Sequence, residues 1–290
     1  MAAVLLSTLM SGIISGFLYM TMALGLSIIY GVTRIFNFAH GLVAVIGAYF
    51  VWWFVSKAGL SLELGILISI GFMFSVGLFI YWTLVYPLLQ KPKWEFTTIA
   101  VTLGLGISLE NLALVLFGPD TKSIPRFLKG SMRVHDISIM TWHDFVCLLI
   151  VLVLLFALRF FLEKSRHGQA IRAVAQDMDG AAYIGIDIFK VFAYTFAIGF
   201  AVTGFSGVLL ASKLFLTSSM GWDWMVRGFV IVVFAGLGSI TGLLYAGLFL
   251  GITEAFVSLF LGVIWVPTFW LLAFLLILLF RPQGLSGAKL

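Results

Sequence analysis

The chain has one cysteine in 290 residues, which excludes an intrachain disulfide framework and a cysteine-based metal site. Cys147 lies inside an apolar run, where a free thiol packs as a small apolar group. Charge is scarce as well. Asp, Glu, Lys and Arg make up 10% of the residues, against about 25% in an ordinary soluble domain. Also missing are a G-x-x-x-x-G-K-[ST] phosphate loop, H-E-x-x-H, C-x-x-C and G-x-S-x-G. The chain therefore lacks the residues of a phosphate-loop ATPase, a zinc protease or a serine hydrolase.

What it has instead is apolar length. Hydrophobic residues make up 62% of the chain and the mean hydropathy is +1.16. The apolar runs last about 17–26 residues without alternation, which fits membrane-spanning helices and not the alternating segments of about ten residues that a β-barrel needs. Spans are read at 3–30, 40–56, 62–89, 97–118, 143–161, 189–212, 226–240, 242–261 and 264–280. The run 226–240 is short for about 30 Å of hydrocarbon at 1.5 Å per residue. With Gly236, Gly238 and Gly242 around its end, it reads as a tilted or broken helix, or as half of a re-entrant pair. The fold class is thus all-α: a polytopic helical membrane protein with eight or nine transmembrane helices and a short helix outside the bilayer. It forms one membrane domain over 1–290, with no clear repeat. The N-terminus has no basic n-region and no A-x-A site, so 3–30 reads as a retained span and not a cleaved leader.

The net charge of +5 is spread over loop ends, which suits lipid headgroups and topology rather than nucleic acid. The loop 119–142 carries Lys122, Arg126, Lys129 and Arg133; the loop 163–190 carries Lys164, Arg166, Arg172 and Lys190. One span separates these loops, so they face opposite sides. With nine spans, Arg34, Lys91, Lys93, Arg281 and Lys289 join the second set. That makes 163–190 cytoplasmic, with the C-terminus inside and the N-terminus outside. With eight spans one terminus changes side.

Small residues recur at four-residue spacing in Gly12 and Gly16, Thr203 and Gly207, Gly238 and Gly242, and Gly247 and Gly251. Such spacing lets helices approach closely in lipid, whether for static packing or for a rocking interface. Several polar residues fall inside or between apolar runs. Asn37 and His40, with Arg34, lie in RIFNFAHG between Gly31 and Gly41. They read either as part of a path or gate, or as a capped turn at the headgroups. Glu110, Asn111 and Glu254 lie within spans. Carboxylates there cost about 2.5 kcal/mol or more and face a cavity or the bundle interior. They read as path-lining groups, one of them meeting an ammonium, or as interhelical hydrogen-bond partners. Arg159 and Arg227 read as snorkelling residues near span ends.

The polar stretch LEKSRHGQAIRAVAQDMDGAAYIGIDIFK (162–190) interrupts this pattern. As a helix over 169–183 it places Ile171, Val174, Ala175, Met178 and Ala182 on one stripe. Ser165 is suited to start it and Gly185 to end it. Three placements stay open: flat on the headgroups, folded back on the neighbouring spans, or docked in a groove of a soluble subunit.

The run from Ser165 to Ala211 resembles the cytoplasmic loop and following span of branched-chain amino acid ABC transporter permeases. The matching residues are Arg166, Gly168, Ala170, Arg172, Ala173, Ala175, Gln176, Asp177, Ala181, Gly185 and Ile186. YGVTRIFNFAHG (Tyr30–Gly41), the glycine-rich Gly228–Gly251 and RPQGL at 281–285 resemble further segments of that family, in the same order. The E-A-A-type loop signature is only loosely met, since Gly180-Ala181-Ala182 precedes Gly185 without the Glu. The resemblance implies the shorter permease subunit of an importer in the bacterial cytoplasmic membrane. It implies a second homologous permease, two ATP-binding subunits and an extracytoplasmic substrate-binding protein. ATP and Mg belong to the partners, with no cofactor in this chain. The segment of about 163–188 would be the coupling helix. Cargo is a branched-chain or other hydrophobic amino acid, with urea, short amides or aromatic acids as family alternatives. An ATP-independent secondary transporter or channel is the reading from another class.

Overall fold

The computed structural model describes residues 1–134 and 137–285; Lys289, counted above among the inner-side bases, lies outside the described residues. The chain runs α1 (Ala2–Thr33), α2 (His40–Ser56), α3 (Leu62–Ile80), a π-helical turn (Tyr81–Val85), α4 (Tyr86–Leu89) and α5 (Trp94–Phe117). A hairpin of β1 (Ser131–Val134) and β2 (Ile137–Thr141) leads into α6 (Trp142–Lys164), α7 (Arg166–Gln176) and α8 (Met178–Tyr183). Then come α9 (Ile188–Lys213), α10 (Met220–Ala235), α11 (Ile240–Phe260) and, after a 3-10 turn, α12 (Val266–Phe280).

Local chemistry sets many of these ends. Ser61, Thr141, Ser165, Asp177, Asp187 and Ser239 each accept a backbone N–H in the first turn of the helix they precede, replacing a bond the helix cannot make for itself. The π-helical turn directly precedes Pro87, where an added residue relieves the clash of a proline ring with the preceding turn.

Seven helical segments among the described residues are long and apolar enough to cross a membrane, where the hydropathy pattern predicts eight or nine. α2 and α10 fall short at 17 and 16 residues. The run expected at 226–240 instead starts at Met220 and stops at Ala235, because Gly236 and Gly238 both adopt positive φ. The all-α expectation holds apart from the small antiparallel β1–β2 hairpin.

α1 and α9 form the centre. Their most apolar stretches are 83% buried, against 17% for α5 and 22% for α6 and α12. The two run antiparallel, with Gly25 against Gly199 and Thr203, and Ile29 against Gly199. Around them one packing pattern occurs twice, in opposite senses. α1 leads through 34–39 into α2, and α9 leads through 214–219 into α10. α2 packs on α9 and α10 on α1; α3 packs on α9 and α11 on α1; α5 touches α2 as α12 touches α10. The residues show no clear repeat, but the packing has one: an inverted pair of halves, each with a long helix followed by a short one.

Two of the four-residue small pairs meet each other. Gly12 faces Gly251 and Ile252, and Gly16 faces Gly247 and Leu248, so α1 and α11 touch along their backbones. A Cβ on Gly16 would lie 2.5 Å from the Gly247 carbonyl oxygen. Overpacking of this kind costs about 1–3 kcal/mol. Gly16→Leu should lower the melting temperature of the detergent-purified protein, whereas Gly71→Leu, with open space around Gly71, should not. Equal melting temperatures for the two variants would contradict the packing described.

Candidate functional site

Three polar regions emerge. The first is the segment between α6 and α9. The Ser165 hydroxyl accepts from the Gly168 amide at 2.9 Å and starts α7. Gly168 is buried against α6: a Cβ there would lie 2.5 Å from Leu162 Cα and would meet the Phe161 carbonyl. Ile171 and Val174 are also buried, so the apolar side of α7 lies on the protein's own spans. A cavity of about 260 Å³ beneath it is lined by Ile28, Gly31 and Val32 of α1, by Leu162, and by Gly238 and Ile240.

The expected single helix over 169–183 is two. Asp177 takes an extended conformation and its carboxylate accepts from the Gly180 amide at 3.0 Å. This local bond competes with helix continuation and restarts the helix out of phase. Ala181 is buried, while Ala182 and Met178 of the predicted stripe are exposed. Ala170 and Ala173 are half-buried, and Arg166, Arg172, Gln176, Asp177 and Gly185 are exposed. Gly185 has φ 86° and ends the turn in the left-handed region expected of it. Tyr183 and Ile184, outside the predicted set, are the most exposed apolar residues of this segment at 90% and 76%. The signal for them was an apolar pair inside the polar island. Asp187, the α9 cap, has its carboxyl held below the usual range by the Lys190 amide and ammonium.

The second region is the break between α1 and α2. α1 ends at Arg34, whose backbone is left-handed. The following backbone is satisfied by side chains. The Thr33 hydroxyl accepts from Ile35 N–H at 3.2 Å, and Thr102 Oγ1 on α5 accepts from Phe38 N–H at 3.3 Å. Asn37 Oδ1 accepts from Ala39 N–H at 3.1 Å, while Asn37 Nδ2 is buried with no partner among the described residues. His40 is fully buried. Its Nε2 donates to the Met22 carbonyl at 2.9 Å and lies 3.0 Å from Thr203 Oγ1. It thereby ties α2 to both central helices.

The start of α10 meets the start of α2. Gly41 and Gly221, each the second residue of its helix, are in backbone contact, and a Cβ on Gly221 would lie 2.9 Å from Leu42 N. Phe229 packs on Phe36 and Phe38 with ring centroids 5.7 and 6.2 Å apart. Glu110 on α5 joins this region, since Trp222 Nε1 donates to its Oε2 at 2.7 Å. Asn111 points elsewhere: it is exposed and donates to its own helix at Ile107 O.

The third region holds Glu254. Its Oε1 accepts from the Tyr19 hydroxyl at 3.3 Å and from Arg227 Nη2 at 3.5 Å. Arg227 was expected to snorkel at a span end. It lies within α10 instead, with its guanidinium 5.3 Å from the Tyr19 ring centroid and 5.9 Å from that of Trp270. Pairing with Glu254 and two aromatic faces holds it there. Arg159 is exposed beside Glu163 at 2.8 Å. The structure therefore brings Asn37, His40 and Glu110 to the α2–α10 junction, and leaves Glu254 in a separate ion pair. Trp222, Thr102 and Tyr19 were not legible as site residues, because their partners lie far away in sequence. Among the described residues, no group of three His, Cys, Asp or Glu side chains could hold a metal ion.

Relatives include the high-affinity branched-chain amino acid transport system permease protein BraD of Pseudomonas aeruginosa, 28% identical over 97% of this chain and 95% of that protein. LivH of Escherichia coli, described in the same words, is 29% identical over 97% of this chain and 95% of its own length. A probable LivH permease of Methanocaldococcus jannaschii is 26% identical over 93% and 89%. The family model for the branched-chain amino acid transport system permease component matches residues 8–281, and the chain belongs to that family.

Proposed function

We propose that this chain is the transmembrane permease subunit of an ATP-driven importer, and that it carries branched-chain or other hydrophobic amino acids delivered by a substrate-binding protein. The observation that carries this reading is the family match across residues 8–281. The exposed side of α7 and α8, with the Tyr183–Ile184 tip, supports docking of a soluble subunit by helix-in-groove packing. In this reading a second permease completes the path, two ATP-binding subunits hold ATP and Mg, and an extracytoplasmic binding protein delivers cargo.

The same reading counts α2 and α10 as passes. That makes nine, with α7 and α8 and the C-terminus cytoplasmic and the N-terminus outside. The protein then sits in the bacterial cytoplasmic membrane. α7 is suited to coupling because its buried face rests on α6 and on the end of α1, and α1 leads directly into the broken segment. Arg166, Arg172, Gln176, Asp177 and Gly185 offer the docking face, while Gly168, Ala170, Ala173 and Ala181 seat the helices on the spans. Asn37 and Glu110 line the path, and His40 braces it.

The complex tests the assignment. Co-expression with candidate ATP-binding subunits should yield a co-purifying assembly that takes up leucine only with ATP. Uptake by this chain alone in liposomes would overturn the importer reading. Gly168→Leu should unseat α7, leaving ATP hydrolysis in the assembly but reducing uptake at least about tenfold, the factor for 1.4 kcal/mol. Full uptake in that variant would remove the coupling role. Glu110→Gln should weaken leucine uptake if Glu110 meets the ammonium group; unchanged uptake in a correctly assembled complex would discard that contact.

A further inference from the structure

α2 and α10 are the two short helices of the core, and they hold corresponding places in the two inverted halves. Interrupted helices in corresponding positions mark the substrate site in many transporters, because their N-termini present free amides and a positive dipole end at membrane depth. Here the two N-termini meet at Gly41 and Gly221. Neither helix has a side-chain cap. The amides of Gly41 and Leu42 find no acceptor among the described residues.

A second observation points to a ligand. Asn37, only 3% exposed, lines a cavity with Leu26, Phe36, Phe38, Met225 and Phe229. Its Oδ1 is used by Ala39 N–H, but its Nδ2 has no partner among the described residues. A buried donor left unpaired costs about 1–3 kcal/mol. An acceptor reaching Nδ2 once the junction opens would recover that cost.

We propose that this junction is a carboxylate subsite for a transported amino acid. The carboxylate accepts from Asn37 Nδ2 and from the amides that open α2, and the apolar side chain lies among Phe36, Phe38, Met225 and Phe229. The assignment rests on the importer reading above and adds where the cargo is held. Asp223, in the first turn of α10, is exposed and outside the cavity lining. Its charge offsets the dipole of α10, which leaves α2 as the stronger anion site. The cavity is about 10 Å³, roughly the space for one water. Cargo therefore enters only when α10 separates from α2. At Gly41 and Gly221 only backbone has to part, and the opening also draws Phe229 away from Phe36 and Phe38.

The test uses the assembled importer in nanodiscs, without binding protein, carrying Cys147→Ser and Met225→Cys. Alkylation at position 225 is timed with saturating L-leucine, with isocaproate, which keeps the carboxylate and side chain but lacks the ammonium, and with isoamylamine, which lacks the carboxylate. Leucine and isocaproate should each slow alkylation about tenfold, the factor for 1.4 kcal/mol, because an occupied site shields position 225, and isoamylamine should not. Asn37→Asp should remove the protection. The subsite is overturned if isoamylamine protects as well as the carboxylates, if no probe protects, or if Asn37→Asp leaves protection intact. ATP hydrolysis stimulated by loaded binding protein is read on the same preparations. Its absence would count against the importer reading, while the probe pattern alone judges the subsite.

Discussion

An open backbone cannot stand in hydrocarbon unless every N–H and C=O finds a partner within the protein. In the segment 34–39 the side chains of Thr33, Asn37 and Thr102 accept from the N–H groups of Ile35, Ala39 and Phe38. His40 then pins the next helix to both central helices. The close approach of Gly41 and Gly221 depends on that pinning. Without it α2 would have no fixed start, and the two short helices would not meet.

From this constraint the rest of the molecule follows outward. α1 and α9 are buried because each packs against the short helix of the other half. α3 and α11 close the flanks through glycine contacts. α5, α6 and α12 keep apolar faces such as Val115, Phe156 and Leu279 exposed, as lipid-facing helices do. α7 touches α1 and α6 near the Gly31–Gly238 contact. α1 thus connects α7 to the 34–39 break.

Much of this was legible in the residues, for physical reasons. Long apolar runs fix helices because lipid leaves no other open-chain solution. Ser165 and Gly185 announced the ends of the segment between α6 and α9 through capping and positive φ. Asn37 and His40 stood out as polar groups in apolar surroundings. The start of α10 was hidden because Trp222, Asp223 and Arg227 make its first turns look like a loop; the Glu110–Trp222 bond and the Glu254 pair hold Trp222 and Arg227 against the bundle, while Asp223 stays exposed. The break at Asp177 was missed because its periodicity continues on paper while its carboxylate caps a new helix. The inverted repeat is a repeat of contacts and not of residues, so no comparison of one half with the other would find it.

Cargo held between α2 and α10 requires that their junction open during transport. Phe38→Cys and Met225→Cys, introduced together in the Cys147→Ser chain and bridged by a short bis-maleimide, would fasten the two starts in the assembled importer. Bridged complexes should lose the leucine uptake that the same double-variant complexes show before bridging. Undiminished uptake through a fully bridged junction would contradict the account.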